Sequence, residues 1–120
     1  SLLNWFLNQK KNVNGFSNAF FSGLTSLELC QIIFKYFINK KNFYNRIINV
    51  GGHKISKYHL LKFISKVFNK QIMVIKFPNF KIDRSLDSSK FEKESKYKKK
   101  TWLQMIKELR AFMIEHSYKF

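Results

Sequence analysis

The sequence predicts a single α/β domain, mostly helical with a few short strands. Three observations carry this. Helical stretches opened by Ser or Thr caps recur along the chain, short runs of β-branched and aromatic residues separate them, and 120 residues suffice for one core without disulfides or metals. The order is helix, extended segment, helix, strand, helix, strand, helix, helix. That alternation belongs to the α/β class, with too few strands to close an independent doubly wound sheet.

Ser1 to Asn8 reads as a helix end with Leu2, Leu3, Trp5 and Phe6 on its apolar side, and Gln9 to Asn14 as a turn. Phe16 to Phe21 reads as a short extended segment. Thr25-Ser26-Leu27-Glu28 has the form of a capping box, in which the Thr hydroxyl accepts from the third N–H and Glu28 reaches back. The helix it opens runs to about Ile38, and apolar residues on more than one face predict that it is sandwiched between other elements. Arg46 to Val50 is a short apolar strand, ended by a tight turn at Gly51-Gly52.

Ser56 caps the next helix, with Leu60, Leu61, Ile64, Val67 and Phe68 at helical spacing and Lys57, Lys62, Lys66 and Lys70 mostly opposite. Gln71 to Phe77 is a strand whose Ile72-Met73-Val74-Ile75 run implies burial on both faces, and Pro78 stops it. Asp87 or Ser88 opens a short helix containing Phe91. Thr101-Trp102-Leu103-Gln104 repeats the capping box, and the helix it opens carries a stripe of Trp102, Met105, Ile106, Leu109, Phe112 and Met113 to about His116.

A formal charge of +16 raises nucleic acid or an anionic surface as partners. Against that, only three of the 23 basic residues are Arg (Arg46, Arg84 and Arg110), whereas readers of phosphate and bases lean on the Arg fork. Lys, Asn, Ile and Phe are enriched together, as a biased genome produces regardless of function. The lone Cys30 forms no intrachain disulfide and reads as a small buried side chain. No apolar run reaches the ~18 residues of a membrane span, and the first residues lack the pattern of a signal peptide. A cytoplasmic domain with no membrane contact is the expectation. His53, His59 and His116 have no metal-ligand spacing, so no metal is expected.

Two stretches carry candidate chemistry. In K-I-D-R-S-L-D-S-S-K-F, Lys81 to Phe91, basic groups and hydroxyls converge before a helix start. Arg84 offers a planar fork suited to phosphate, and Ser85 adds a donor. An ordinary surface loop, with Asp87 as a cap and Arg84 paired to an acid, fits the same residues. In Asn14 to Thr25, Phe20 and Phe21 supply aromatic walls and Asn18 and Ser22 polar groups. Core packing for the Phe pair and simple capping for Thr25 fit equally. Gly51-Gly52 lacks the spacing of a phosphate loop. Tyr58 and Lys62 stand four apart, but in an element that gives them no catalytic setting.

The Lys81–Phe91 stretch, followed by K-Y-K-K-K-T-W-L-Q-M-I-K-E-L from Lys96, resembles the C-terminal end of extended short-chain dehydrogenases, in the sugar-nucleotide reductase branch that includes dTDP-4-dehydrorhamnose reductases. The resemblance runs from about Asn4 to about Met113. It implies the substrate-binding part of a Rossmann-type, NAD(P)-dependent reductase or epimerase acting on a nucleotide-linked sugar. It places Arg84, with Lys81 and Ser85, near the pyrophosphate, and Asn18, Phe20, Ser22 and Thr25 beside the substrate. Some relatives carry an Arg-Pro where Phe80-Lys81 stands here, which leaves open which basic residue acts.

There is no Gly-rich dinucleotide loop, and Tyr58 and Lys62 are set aside as the catalytic pair, so NAD(P) and the catalytic groups are expected on an N-terminal domain outside this sequence. Alone, the segment is expected to be inactive and to self-associate through exposed apolar surface. Two other classes stand beside this: a basic module for nucleic acid or an anionic surface, and a non-catalytic scaffolding relative.

Overall fold

A computed structural model describes residues 1–38 and 46–120. The elements are α1 (Leu2–Leu7), β1 (Val13–Phe21), α2 (Ser26–Ile32) continued by a π-helical turn (Ile33–Phe37), β2 (Ile55–Ser56), α3 (Lys57–Val67), β3 (Val74–Arg84), α4 (Ser89–Ser95) and α5 (Trp102–Glu115). Among the described residues the sheet has three strands in the order β2-β1-β3. β1 runs parallel to β3 from Val13↔Val74 to Phe21↔Arg84 and antiparallel to β2 at Phe20↔Ser56.

A parallel pair needs a long crossover, and α3 is its last part. It lies against β1 so closely that a Cβ on Gly15 would stand 2.8 Å from the Tyr58 ring and 2.6 Å from Val74 Cγ1. Val13, Gly15 and Ala19 of β1 are buried on this packed face, with Phe21 against Trp102. By strand alternation, Asn14, Phe16, Asn18 and Phe20 point to the other face. There Phe16 meets Phe77 and Phe80 at ring separations of 5.6 and 5.4 Å.

The main core joins Phe6, Val13, Ile55, Leu60, Leu61, Ile64, Phe68, Trp102, Met105, Ile106 and Met113. Trp102 Nε1 donates to the His53 carbonyl (2.7 Å), pinning the start of α5 to the segment before β2. A second cluster gathers Ile32, Phe91 and Tyr97 with Tyr36, Phe37, Ile48 and Val50 around it.

Several expectations are corrected. Arg46–Val50 is not a strand: it has no ladder partner, and its apolar character serves Ile48 and Val50, which pack into the second cluster. Pro78 does not stop β3. The strand runs on to Arg84 because it is an edge strand and Pro78 falls in a bulge, where Phe16↔Phe77 is followed by Asn18↔Lys81; edges and bulges are where a missing N–H is tolerated. Nor is the 72–75 run buried on both faces, since Met73 and Ile75 are exposed. The helix from Thr25 is not sandwiched among the described residues: Leu29, Ile33 and Phe34 are exposed, Phe34 at 75%. Cys30 shares that outward side and is exposed, not buried.

Both capping boxes form only their first half. Thr25 Oγ1 accepts from Glu28 N and Thr101 Oγ1 from Gln104 N, each at 3.2 Å. The Glu28 carboxylate instead turns to Tyr97 and Lys100, and the Gln104 amide to Glu108. The glycine pair serves close approach and not a left-handed turn. A Cβ on Gly51 would meet the Ser22 carbonyl at 2.8 Å and one on Gly52 the Gly23 carbonyl at 2.7 Å, while both residues keep negative φ.

Candidate functional site

The sheet brings the two sequence candidates side by side at the ends of β1 and β3. Asn18 pairs with Lys81, Phe20 with Asp83 and Phe21 with Arg84. Asn18, Phe20 and Lys81 therefore share the open face, while Arg84 sits beside Phe21 on the packed side. Lys81 and Arg84 are exposed, with no acidic partner within ion-pair distance among the described residues.

The remaining candidates have internal partners. Ser22 Oγ accepts from Leu86 N at 2.7 Å and donates to the Leu86 carbonyl at 3.2 Å, and the residue is buried. Thr25 caps α2. Ser85 donates its hydroxyl and its N–H to Asp83 Oδ1 at 2.6 and 2.9 Å. Asn18 Nδ2 donates to the Pro78 carbonyl (2.9 Å), tying the bulge to β1. The cap of α4 is divided: Asp87 Oδ1 accepts from Ser89 N, while Ser88 donates to the Gly51 carbonyl and to Glu92.

A cleft of about 680 Å³ opens beside Phe20. Its walls include His53, Lys54, His59, Phe63 and Trp102. Lys54 Nζ lies 4.9 Å from the centre of the Phe20 ring and pairs with Asp83. The Lys54 ammonium, then the Ser85 hydroxyl and N–H, hold the Asp83 carboxyl well below the usual carboxylate range. His59 Nδ1 and Ser56 Oγ lie 2.9 Å apart. The cleft thus combines aromatic walls, two imidazoles and an ammonium, the mixture of apolar surface and few polar groups that small-molecule sites use. Lys54 and Phe63 were not singled out from the sequence, and His53 and His59 were weighed there only as metal ligands. The one available signal was His53-Lys54 standing between the glycine pair and the Ser56 cap.

A larger cleft of about 930 Å³ lies by α2 and contains none of the candidates. Its inner polar groups are engaged with each other. Glu28, 3% exposed, accepts from Tyr97 Oη at 2.9 Å, with Lys100 Nζ 2.8 Å from its other oxygen. Burial, and then Glu28, push the Tyr97 phenol above its ordinary range. Glu108, then Glu28, raise Lys100. This is a structural clamp between α2 and the segment before α5. Lys62 Nζ sits 5.4 Å from the Tyr58 ring, a surface contact on α3. Among the described residues, no three His, Cys, Asp or Glu side chains gather to hold a metal ion, and no helix is long and apolar enough to cross a membrane.

No protein-family model matches this chain, and no curated protein matches it in sequence. Among solved structures it superposes on dTDP-4-dehydrorhamnose reductase from Bacillus anthracis str. Ames in complex with NADP, at 2.65 Å resolution, with a TM-score of 0.70 and 12% identity. Its fold is that of part of a Rossmann-type reductase. The match covers 95% of this chain and 41% of the reductase chain. The α/β class and the resemblance to the sugar-nucleotide reductases at the level of fold both stand. The chain thus spans less than half of the reductase it matches.

Proposed function

We propose that this chain is the substrate-side part of an NAD(P)-dependent reductase acting on a nucleotide-linked sugar, of the dTDP-4-dehydrorhamnose type. The observation that carries the reading is the likeness over 95% of the chain to such a reductase, joined to a cleft beside Phe20 at the sheet end and to Lys81 and Arg84 on the neighbouring strand, which have no acidic partner among the described residues. Phe20 and Trp102 offer faces to a base or deoxysugar. Arg84 and Lys81 bring charge for the pyrophosphate, and Lys54, clamped by Asp83, keeps the carboxylate from repelling it. Fixing the sugar in one pose is the catalytic contribution such residues would make.

The cofactor belongs elsewhere in this reading. The glycine pair is closed by the carbonyls of Ser22 and Gly23, which speaks against that pair as a phosphate cradle, and no chemical step is assigned to this chain's own residues. Reduction and epimerisation share this demand on the substrate side.

Titration with dTDP, followed by Trp102 fluorescence in a Trp5→Phe background, tests the proposal. Saturable binding that Arg84→Gln weakens about tenfold, as loss of a charge-assisted contact would, supports it. Absence of saturable dTDP binding at low salt sinks it. A second reading has one observation of its own: Phe16, Phe77 and Phe80 lie together on the open sheet face with Lys81 nearby, a stacking platform of the sort that single-stranded nucleic acid uses. Binding of oligo-dT with a steep salt slope, in place of dTDP, would favour that basic module.

A further inference from the structure

Residues 47–50 have the habit of a strand without a sheet. Ile48 and Val50 turn inward to the second cluster, while Ile47 and Asn49 face out, Ile47 at 98% exposure. That period of two belongs to a strand. Yet the segment has no ladder partner, and its backbone makes no hydrogen bond among the described residues. Backbone N–H and C=O are obligatory hydrogen-bonding groups, so a stretch with one packed face and open edges is a strand awaiting a neighbour. α2 and its π-helical turn pack on the same cluster through Ile32, Tyr36 and Phe37. Their outward side is apolar and open: Leu29, Ile33, Phe34 and Ile38 are all exposed. A helix beside an unpaired strand is half of an α/β layer, and the other half is a sheet.

We propose that the outward side of α2 together with residues 47–50 docks an α/β cofactor-binding domain, and that residues 47–50 pair with the edge of that domain's sheet. The inference rests on the function proposed above and adds where and how the partner sits. The occupant is argued from length. This chain matches 41% of a reductase solved with NADP, and a Rossmann-type fold needs an open parallel sheet with helices on both faces, more than the three strands described here supply. The edge of such a sheet must be paired or covered. Residues 47–50 offer it a strand, and Ile33 and Phe34 offer apolar cover for the sheet's face. A second copy of this chain suits the surface less, because each copy carries +16 and like charge opposes close approach. Cys30 is exposed on the same outward side, so docking would shield its thiol.

The test uses the polypeptide as isolated from the cells that make it. Hydrogen–deuterium exchange and Cys30 alkylation are read by mass spectrometry, and NADP and dTDP binding are measured on the same sample. The peptide carrying residues 47–50 should keep alternate amide hydrogens about a hundredfold longer than an open chain, as a strand paired on one edge would, and Cys30 should react slowly. Phe34→Ser, at a ring 75% exposed here, should speed that alkylation about tenfold, as loss of an aromatic anchor at an interface predicts. Open-chain exchange at 47–50 and a freely reactive Cys30, in a polypeptide that binds both NADP and dTDP, overturn the docking surface and leave the functional reading standing. Protection with NADP binding but no dTDP binding supports the docking and sinks that reading. Protection without NADP binding, in a particle that sediments as a dimer of this chain alone, overturns the occupant in favour of a second copy.

Discussion

Tyr97→Phe tests whether the second cluster is held by its buried polar clamp. The substitution keeps the ring, which packs on Phe91 at 5.7 Å and Tyr36 at 5.9 Å, and deletes only the hydroxyl 2.9 Å from Glu28 Oε1. A hydrogen bond to a charged acceptor contributes about 1.5–3 kcal/mol. Lys100 remains on the other carboxylate oxygen, so the lower end applies, about 1.5–2 kcal/mol. For a domain of this size that corresponds to a fall in Tm of about 5–10 °C. Thermal unfolding followed by far-ultraviolet circular dichroism measures it.

The pH dependence gives a second handle on the same bond. Burial and Glu28 raise the phenol's pKa in the folded state, so the folded protein holds this proton more tightly than the unfolded chain. The advantage is complete below the ordinary tyrosine value of about 10 and is lost as pH rises through the folded one. The gap between wild type and Tyr97→Phe should therefore narrow above about pH 10. In a Glu28→Gln background the same change should cost clearly less. A Tm within about 2 °C of wild type, or a gap that widens with pH, would refute the clamp.

Gly52→Ala should destabilise by about 1–3 kcal/mol through overpacking, because its Cβ would meet a backbone carbonyl at 2.7 Å. Gly23→Ala, whose nearest neighbour is the Phe21 ring at 3.2 Å, should be milder; urea unfolding of the pair compares them. Ser22→Ala strands the Leu86 N–H that the hydroxyl accepts and should cost about 1–3 kcal/mol. A variant of unchanged stability that nonetheless loses dTDP binding would show the Ser22 hydroxyl to be a substrate contact instead.

The helices were legible because their signals are local. The Ser56, Thr25 and Thr101 caps formed where the sequence put them, and the α3 and α5 stripes pack into the main core except for Phe112, which is exposed. What failed depended on partners far along the chain. Arg46–Val50 has strand composition, but β propensity mostly measures fit to neighbours, and here the neighbours are Phe91 and Tyr97. Pro78 reads as a stop until one knows that β3 is an edge strand with a bulge at that point. The Lys81 to Ser85 stretch was read as a loop, yet through Arg84 it is strand, and only its pairing with β1 brings Lys81 next to Asn18. Lys54 stayed invisible because its role comes from Asp83 and Phe20, each about thirty residues away.

Charge ties these features together. Six of the seven carboxylates have structural duties: Glu28 and Glu108 meet at Lys100, Asp83 holds Lys54, Asp87 and Glu92 shape the start of α4, and Glu94 pairs with Arg46. Seven carboxylates against 23 basic side chains leave a net +16, so repulsion among the excess cations opposes the compact state. The exposed ion pairs add only about 0–1 kcal/mol each, too little to reverse that sign. Screening should thus help more than it harms: raising NaCl from about 20 mM to about 300 mM, where the Debye length drops below ~8 Å, should raise Tm by several degrees. A Tm that falls with salt would mean that the ion pairs, and not the excess of lysine, set the electrostatic balance of this fold.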